Sequence, residues 1–180
     1  MTDLSNTKLL VRAIEFAARK HRMQRRKDVE ASPYINHPIA LMSVLCVEAG
    51  IDDATVLAVA ALHDTVEDTE TTPAELEQEF GGDIAKLVGE MTDDKMLPKA
   101  ERKRLQIEHA HTMTKKAALV KLADKICNVR DIAASPPARW SEVRRREYFE
   151  WAKAVVDGLK DPHPTLRKLF DEAYAASLRY

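Results

Sequence analysis

The segment AALHDTVEDTETT, residues 60–72, marks the point at which a strongly apolar part of the chain meets a cluster of charge. The run from Val56 to Leu62 holds only apolar residues, which is typical of a buried helix. A histidine and three acids then follow directly: His63, Asp64, Glu67 and Asp68. An ionised carboxylate is costly to bury without a partner, so a cation at the end of this helix would resolve the conflict. The segment alone is also compatible with polar residues that end a helix in a solvated loop.

Length and composition are those of an ordinary soluble globular protein. The chain has 180 residues, which is most simply one domain and is long enough to bury its own core. Its formal charge of −1 exerts no overall attraction on nucleic acid or on an anionic membrane. Any anion-binding site must therefore come from local clustering of cations.

Cysteine usage and the amino terminus predict a cytoplasmic protein. Cys46 and Cys127 have neither metal-ligand nor disulfide-framework spacing, which indicates reduced thiols. The start, MTDLSNTKLL, has no basic region followed by an apolar stretch, and no segment reaches about 18 consecutive apolar residues. We therefore expect neither export by a standard signal nor a membrane span.

Most of the chain has the pattern of consecutive helices. Only five glycines occur, and no alternating run is long enough to predict a strand. Capping residues and prolines predict the helix boundaries. The predicted helices are about residues 5–21; Pro38 to Gly50; Asp52 or Asp53 to His63; Thr72 to Gly81; Asp83 onward; Pro98 to His111; 115–132; Ser141 to Lys160; and Pro164 onward. The sequence thus predicts one all-α domain over 1–180, a bundle of about eight to ten helices.

Two distant segments could complete a metal site with His63 and Asp64. The motif YINHP places His37 at the predicted start of a helix, and LVKLADKICNVRDI places Asp124 in an apolar helix face. Carboxylates are almost never buried without a partner. The ordered set of a histidine, a His-Asp doublet and a distant aspartate therefore indicates one divalent metal.

The alternative for Asp124 is a structural salt bridge. Its neighbours Lys121 and Lys125 carry the necessary charge and lie within one helical turn. The sequence leaves both explanations open at this point.

Five motifs together resemble a known enzyme family: YINHP, LHDTVEDT, EMTDDK, KLADKICNVRD and EYFEWAKAVVDGL. The pattern resembles the HD superfamily of metal-dependent phosphohydrolases. It is more closely similar to the small alarmone hydrolases of the RelA/SpoT homologue class, which include the metazoan SpoT homologues, from about residue 8 to about residue 170. This resemblance implies a single HD domain that uses Mn²⁺ to hydrolyse the 3′-pyrophosphate of (p)ppGpp, giving GDP or GTP and pyrophosphate.

The resemblance also implies which residues would form the active site. The metal ligands would be His37, His63, Asp64 and Asp124. Two imidazoles and two carboxylates without thiolates suit Mn²⁺ and would also accept Fe²⁺ or Zn²⁺. The acid/base pair would be Glu67 and Asp68, each i+4 from one half of the His-Asp doublet.

Substrate binding would fall to cations and polar groups outside the metal set. The predicted residues are Arg26, Lys27, Lys99, Asn128, Arg144 and Tyr148. Each predicted cation could instead be a solvated surface charge, and Tyr148 could be a core tyrosine. The other histidines, including His21, are interpreted as structural or exposed. Position 127, often aromatic in relatives, is Cys127 here, which leaves the metal set intact and the packing of the local pocket open.

Two other functions remain compatible with the sequence. The resemblance to metazoan relatives also implies a phosphatase acting on the 2′-phosphate of NADPH. A catalytically silent HD module that binds a nucleotide for regulation is a further alternative. The expected partner is a small-molecule nucleotide. No nucleic-acid partner is expected, because the basic run at 144–146 lacks the aromatic residues and motifs typical of nucleic-acid binding. No membrane partner is expected, and the oligomeric state is left open.

Overall fold

The computed structural model describes residues 2–178, and their regular structure is helical apart from one isolated antiparallel bridge between Arg25 and Pro33. The helices are α1 Thr2–Lys20, α2 Asn36–Ser43, α3 Ala54–Leu62, α4 Thr65–Asp68, α5 Pro73–Phe80, α6 Gly82–Met91, α7 Lys99–His109, α8 Lys115–Ala134, α9 Glu142–Asp157 and α10 Pro164–Ser177. A π-helical turn, Val44–Glu48, continues α2, and a 3-10 turn, Ala110–Thr112, continues α7. The prediction of an all-α bundle of eight to ten helices is confirmed.

Capping side chains begin several helices at the predicted positions. Asp53 accepts a hydrogen bond from the backbone N–H of Thr55 at 2.9 Å, and so begins α3. Thr72 begins α5 in the same way, and Ser141 begins α9. Such caps satisfy backbone donors that the first turn of a helix leaves free.

Two predicted helix starts are wrong. Asp83 lies inside the first turn of α6, whose N-cap is Gly81 with a φ of +86°. That left-handed backbone is accessible to glycine without steric cost, so the chain turns from α5 into α6 two residues earlier than the acid suggested. Pro38 is the third residue of α2, which begins at Asn36. Proline is tolerated there because backbone N–H groups in the first turn have no intrahelical partner.

Helix α3 lies at the centre of the bundle. All of its residues except Thr55 are buried, and it packs against α1, α2, α6 and α8. A helix that is apolar on every side is stable only when neighbours cover every side. This packing places His63, the residue that follows α3, in the interior of the protein.

The second central helix is α8, which contacts α2, α3, α6, α9 and α10. Its buried residues include three charged ones, Lys121, Asp124 and Lys125. Because α8 packs beside both α2 and α3, the buried charge on α8 lies close to the first turn of α2 and to the end of α3.

None of the helices within residues 2–178 combines the length and the apolar character needed to cross a membrane. The organisation of residues 1–180 as a single domain stays a prediction.

Candidate active site

His63 and Asp64 project from the point where α3 ends. The His63 ring is buried, and its Nδ1 lies 2.9 Å from the carbonyl oxygen of Ala60. A carbonyl only accepts, so Nδ1 carries a proton, and in the neutral ring Nε2 then carries the free lone pair. This is the tautomer in which metal-ligating histidines are usually held. The Nε2 atom lies 3.0 Å from Oδ2 of Asp64.

His37 and Asp124 meet His63 in the interior. His37 is the second residue of α2, and its Nε2 lies 3.2 Å from Oδ1 of Asp124 on α8. Ligand atoms of His37, His63 and Asp124 all lie within 4.8 Å of one another, and all three residues are buried. We call these three residues the His-His-Asp cluster. Asp64, the fourth predicted ligand, touches this cluster through His63.

The electrostatics of the cluster favour a cation. Burial alone would lower the pKa of His63, but the charges of Asp64 and Asp124 outweigh it and raise that pKa to about 9. With that pKa the ring carries a proton on Nε2 near neutral pH when no ion is bound; this nitrogen is 3.0 Å from Oδ2 of Asp64 but outside hydrogen-bond geometry with any group of residues 2–178. A divalent metal ion would take the place of that proton, and imidazoles beside carboxylates, without a thiolate, suit such an ion.

Asp124 is held by several groups at once. Lys125 Nζ lies 3.1 Å from its Oδ2, and Asn128 Nδ2 donates to its Oδ1 at 2.6 Å. Burial opposes ionisation of Asp124, yet Lys125 and His37 outweigh it and hold its pKa well below the usual value. Lys121 points elsewhere, toward the carbonyl oxygen of Met91 at 3.5 Å. Asp124 therefore belongs to a salt bridge and to the His-His-Asp cluster together, so the two explanations of the sequence are not exclusive.

The predicted acid/base pair lies on the short helix α4, one turn beyond the cluster. Glu67 accepts a hydrogen bond from the backbone N–H of Asp93 at 3.1 Å, and Arg102 lies 3.7 Å from its other oxygen. Burial and the charge of Asp64 outweigh that hydrogen bond and raise the pKa of Glu67 to about 7. A carboxyl group with such a pKa is suited to accept and return a proton near neutral pH.

Asp68 faces a different environment. Gln24 Nε2 donates to its Oδ2 at 2.9 Å, and the ammonium group of Lys95 contacts its Oδ1. Asp68 also lines a cavity of about 770 Å³, which reaches from His37 to the loop around Pro137. A cavity of this size can hold a nucleotide-sized ligand.

The cavity wall contains four of the six predicted substrate-binding residues: Arg26, Lys27, Asn128 and Tyr148. Arg26 donates to Asp131 at 2.7 Å and to Asn128 at 3.3 Å, and its guanidinium lies over the ring of Tyr34. Its side chain is only 18% exposed, so Arg26 is a fixed part of the wall and not a solvated charge.

The remaining two predicted cations, Lys99 and Arg144, do not line the cavity wall. Lys99 is nevertheless close to Lys27, which is part of the wall. Burial, and then the positive charges of Arg144, Lys27 and Arg102, lower the pKa of Lys99. Arg144 also lies over the ring of Trp140, which is part of the wall. A group of cations thus surrounds one side of the cavity despite the net charge of −1.

Sequence reasoning missed several residues that the structure brings to the site. Tyr34 is buried, with its hydroxyl against Asp64 and its ring next to His37. Its position three residues before His37, on the helix-entry motif, was the available signal. Gln24 and Lys95 gave no such signal, because their contacts with Asp68 span 44 and 27 residues.

Cys127 is not among the residues that line the cavity. The residue is buried, and burial together with the charge of Asp124 raises the pKa of its thiol. A thiol that stays protonated is a poor nucleophile and a poor metal ligand. Cys127 therefore leaves the chemistry of the site to the other residues.

Comparisons with known proteins agree with this geometry. The HD domain family matches residues 13–152. A guanosine-3′,5′-bis(diphosphate) 3′-pyrophosphohydrolase MESH1 from Homo sapiens is 57% identical over 159 residues, which are 88% of this chain and 89% of the relative. The MESH1 protein of Xenopus tropicalis is 52% identical over 170 residues, covering 94% of this chain and 95% of that protein.

Solved structures show the same similarity. A metazoan orthologue of SpoT, described as hydrolysing ppGpp and playing a role in starvation responses, superposes with a TM-score of 0.90. It is 47% identical, and the match covers 93% of this chain and 94% of that one. The lmo0812 protein of Listeria monocytogenes matches with a TM-score of 0.65 at 27% identity, over 82% of this chain and 97% of that one. The chain therefore belongs to the HD-domain family and, within it, to the small alarmone hydrolases related to MESH1.

Proposed function

We propose that this chain is a guanosine-3′,5′-bis(diphosphate) 3′-pyrophosphohydrolase, which converts ppGpp to GDP, or pppGpp to GTP, with release of pyrophosphate. The observation that carries this function is the near full-length similarity to MESH1 proteins, at 57% identity with the human one. The buried His-His-Asp cluster beside a nucleotide-sized cavity supplies the chemistry that such a reaction needs.

We infer that His37, His63, Asp64 and Asp124 hold the metal, and that the metal is Mn²⁺. The mixed nitrogen and oxygen donor set supports this choice, since imidazole and carboxylate ligands suit first-row divalent ions. When bound, such an ion would polarise a phosphoryl oxygen and lower the pKa of a coordinated water. Lys125 and Asn128 would orient Asp124, and the Ala60 carbonyl would orient His63.

Glu67 and Asp68 would deprotonate and orient the attacking water. Glu67, with its pKa of about 7, would accept the proton from the water as it attacks the phosphorus that is bonded to the ribose O3′. The bond between that phosphorus and O3′ would break, which releases pyrophosphate and leaves O3′ on the nucleotide. Asp68 has a fixed orientation and would direct the water by accepting a hydrogen bond from it. The leaving oxygen would then be protonated from Glu67 or from solvent.

The cations would bind the phosphates of the substrate. Arg26 and Lys27 lie on the wall, and Lys99 is close enough to Lys27 and Arg144 for their charges to act on it. Arginine binds phosphate bidentately, which fixes orientation as well as charge. Asn128 and Tyr148 face the same cavity and would contact the ribose. The cytoplasmic location and the absence of nucleic-acid and membrane partners stay predictions.

Replacing Arg26 with alanine is expected to raise KM for ppGpp with the metal still bound. Truncating one partner of a buried hydrogen-bonded charge pair costs ~2–5 kcal/mol. Arg26 already shares its guanidinium with Asp131, so we expect the lower end, a rise of about 30-fold. Because Arg26 is mostly buried, added salt should reduce this effect less than it reduces that of Lys99→Ala.

Arg22→Ala is the matched control for this measurement, since Arg22 is an exposed arginine of the same loop and does not line the cavity. An unchanged KM in Arg26→Ala, with Lys99→Ala or Arg144→Ala abolishing binding, would place the phosphates on the opposite side of the cavity.

Product analysis tests the function itself. The purified protein is incubated with Mn²⁺ and, separately, with ppGpp, pppGpp or NADPH, and the products are separated by anion exchange. We expect pyrophosphate with GDP or GTP from the first two. Inorganic phosphate from NADPH would identify the 2′-phosphatase activity, and no turnover of any nucleotide would favour the silent binding module. A chelator-treated sample serves as the control for metal dependence.

A further inference from the structure

Asp68 is held from two sides by residues that come from separate parts of the chain. Gln24, in the loop after α1, donates to Oδ2 at 2.9 Å. Lys95, in the loop between α6 and α7, contacts Oδ1. Asp68 itself lies at the end of α4, a helix of four residues. Both oxygens of the Asp68 carboxylate are thus engaged, one by Gln24 and the other by Lys95.

Gln24 is itself oriented by a buried histidine. An ionised carboxylate only accepts hydrogen bonds, so the amide nitrogen of Gln24 must face Asp68 and its Oε1 must accept. His21 Nδ1 lies 2.6 Å from that Oε1 and therefore carries the proton. Burial lowers the pKa of His21, in keeping with a neutral ring. His21, Gln24 and Asp68 thus form a chain of hydrogen bonds with one consistent direction.

Lys95 belongs to a segment that contacts both members of the acid pair. Two residues earlier, the backbone N–H of Asp93 donates to Glu67 at 3.1 Å. The side chain of Asp93 is held in turn by Gln106 of α7 at 2.7 Å. These two contacts hold the loop two residues before Lys95, whose side chain is 51% exposed and reaches Asp68 from this loop.

We propose that Gln24 and Lys95 are positioning residues for the hydrolysis, which act by fixing the carboxylate of Asp68 toward the attacking water. This inference rests on the proposed function and adds two residues to it. Neither is needed to hold the metal, since neither belongs to the His-His-Asp cluster. A displacement of about 1 Å in a reacting group can cost about 100-fold in rate.

The test is a double-mutant cycle with steady-state kinetics on ppGpp in Mn²⁺. We expect Lys95→Met and Gln24→Met each to lower kcat by about 10- to 100-fold while KM and metal content stay nearly unchanged. Lys95→Arg should restore most of the rate, because it keeps the charge beside Asp68. In an Asp68→Asn background, Lys95→Met should have little further effect, since residues that act through one another are not additive.

Lys153→Met is the control, because Lys153 forms a salt bridge of the same type with Asp157 on the surface of α9. A rise in KM with unchanged kcat in Lys95→Met would overturn the inference and make Lys95 a phosphate ligand. Full additivity with Asp68→Asn, or no loss of kcat in either single variant, would also overturn it. Failure of the wild-type protein to release pyrophosphate would instead refute the proposed function, so the two failures are distinguishable.

Discussion

An Asp124→Asn variant is expected to lose both the bound metal and nearly all release of pyrophosphate. Asp124 contributes a buried carboxylate oxygen within 4.8 Å of the ligand nitrogens of His37 and His63. An amide in its place removes the negative charge that offsets the cost of burying a cation. Loss of an outer-sphere partner alone typically weakens metal binding by about 10- to 100-fold, so loss of a ligand should exceed that. Elemental analysis after dialysis and kcat on ppGpp are the two measurements.

The same substitution leaves Lys125 without its carboxylate partner in the interior, where Lys125 is only 3% exposed. Breaking a buried ion pair costs ~3–5 kcal/mol, so the single variant could unfold. The double variant Asp124→Asn/Lys125→Met removes the orphaned charge and should fold, as judged by circular dichroism, yet still lack metal. Asp157→Asn, in a surface salt bridge, is the matched control. Full metal occupancy with full activity in the double variant would remove Asp124 from the ligand set.

Replacement of Glu67 by glutamine is expected to keep the fold and the metal and to lower kcat by about 10²- to 10⁴-fold, the usual contribution of a general acid or base. Glutamine preserves the shape of the side chain and can still accept from the backbone N–H of Asp93. It cannot take up a proton. The loss should therefore appear in kcat far more than in KM.

The pH profile provides a second measurement of Glu67. A general base works when it is ionised, so the rate should be full above the pKa of about 7 and fall as the pH decreases through it. A bound divalent cation nearby stabilises the carboxylate, and it would move this limb to lower pH. The residual activity of Glu67→Gln should lack the limb.

Glu101→Gln is the matched control, because Glu101 pairs with Arg104 on the exposed side of α7. An unchanged kcat in Glu67→Gln would assign Glu67 a structural role and leave Asp68 as the base.

The sequence predicted the helices wherever a local signal set the boundary. Asp53, Thr72 and Ser141 cap helices as predicted because an N-cap interaction involves only neighbouring residues. The error at Asp83 arose because two signals competed for the same turn, an acid and a glycine. The left-handed conformation of Gly81 decided between them.

The candidate site was predictable where residues follow one another in motifs, and not where contacts cross the fold. The His63-Asp64 doublet and the buried Asp124 were predictable because they are polar residues at the end of, or within, apolar helices. The hydrogen bond of Gln24 with Asp68 depends on how the loop after α1 returns past α4, which no periodicity encodes. The ion pair of Arg26 with Asp131 spans 105 residues, so an apparently solvated arginine proved to be part of a wall.

The end of α3 also constrains how the length of this chain can change during evolution. Asp53 fixes the first turn of the helix, and the imidazole of His63 closes its last turn on the carbonyl of Ala60. An α-helix advances about 100° and 1.5 Å with each residue. One residue inserted or deleted between Asp53 and His63 would rotate His63 and Asp64 away from α8, whichever residue it is. The number of residues from the cap to the doublet is therefore constrained. The apolar side chains of α3 are constrained differently, because a core tolerates exchanges that keep the volume.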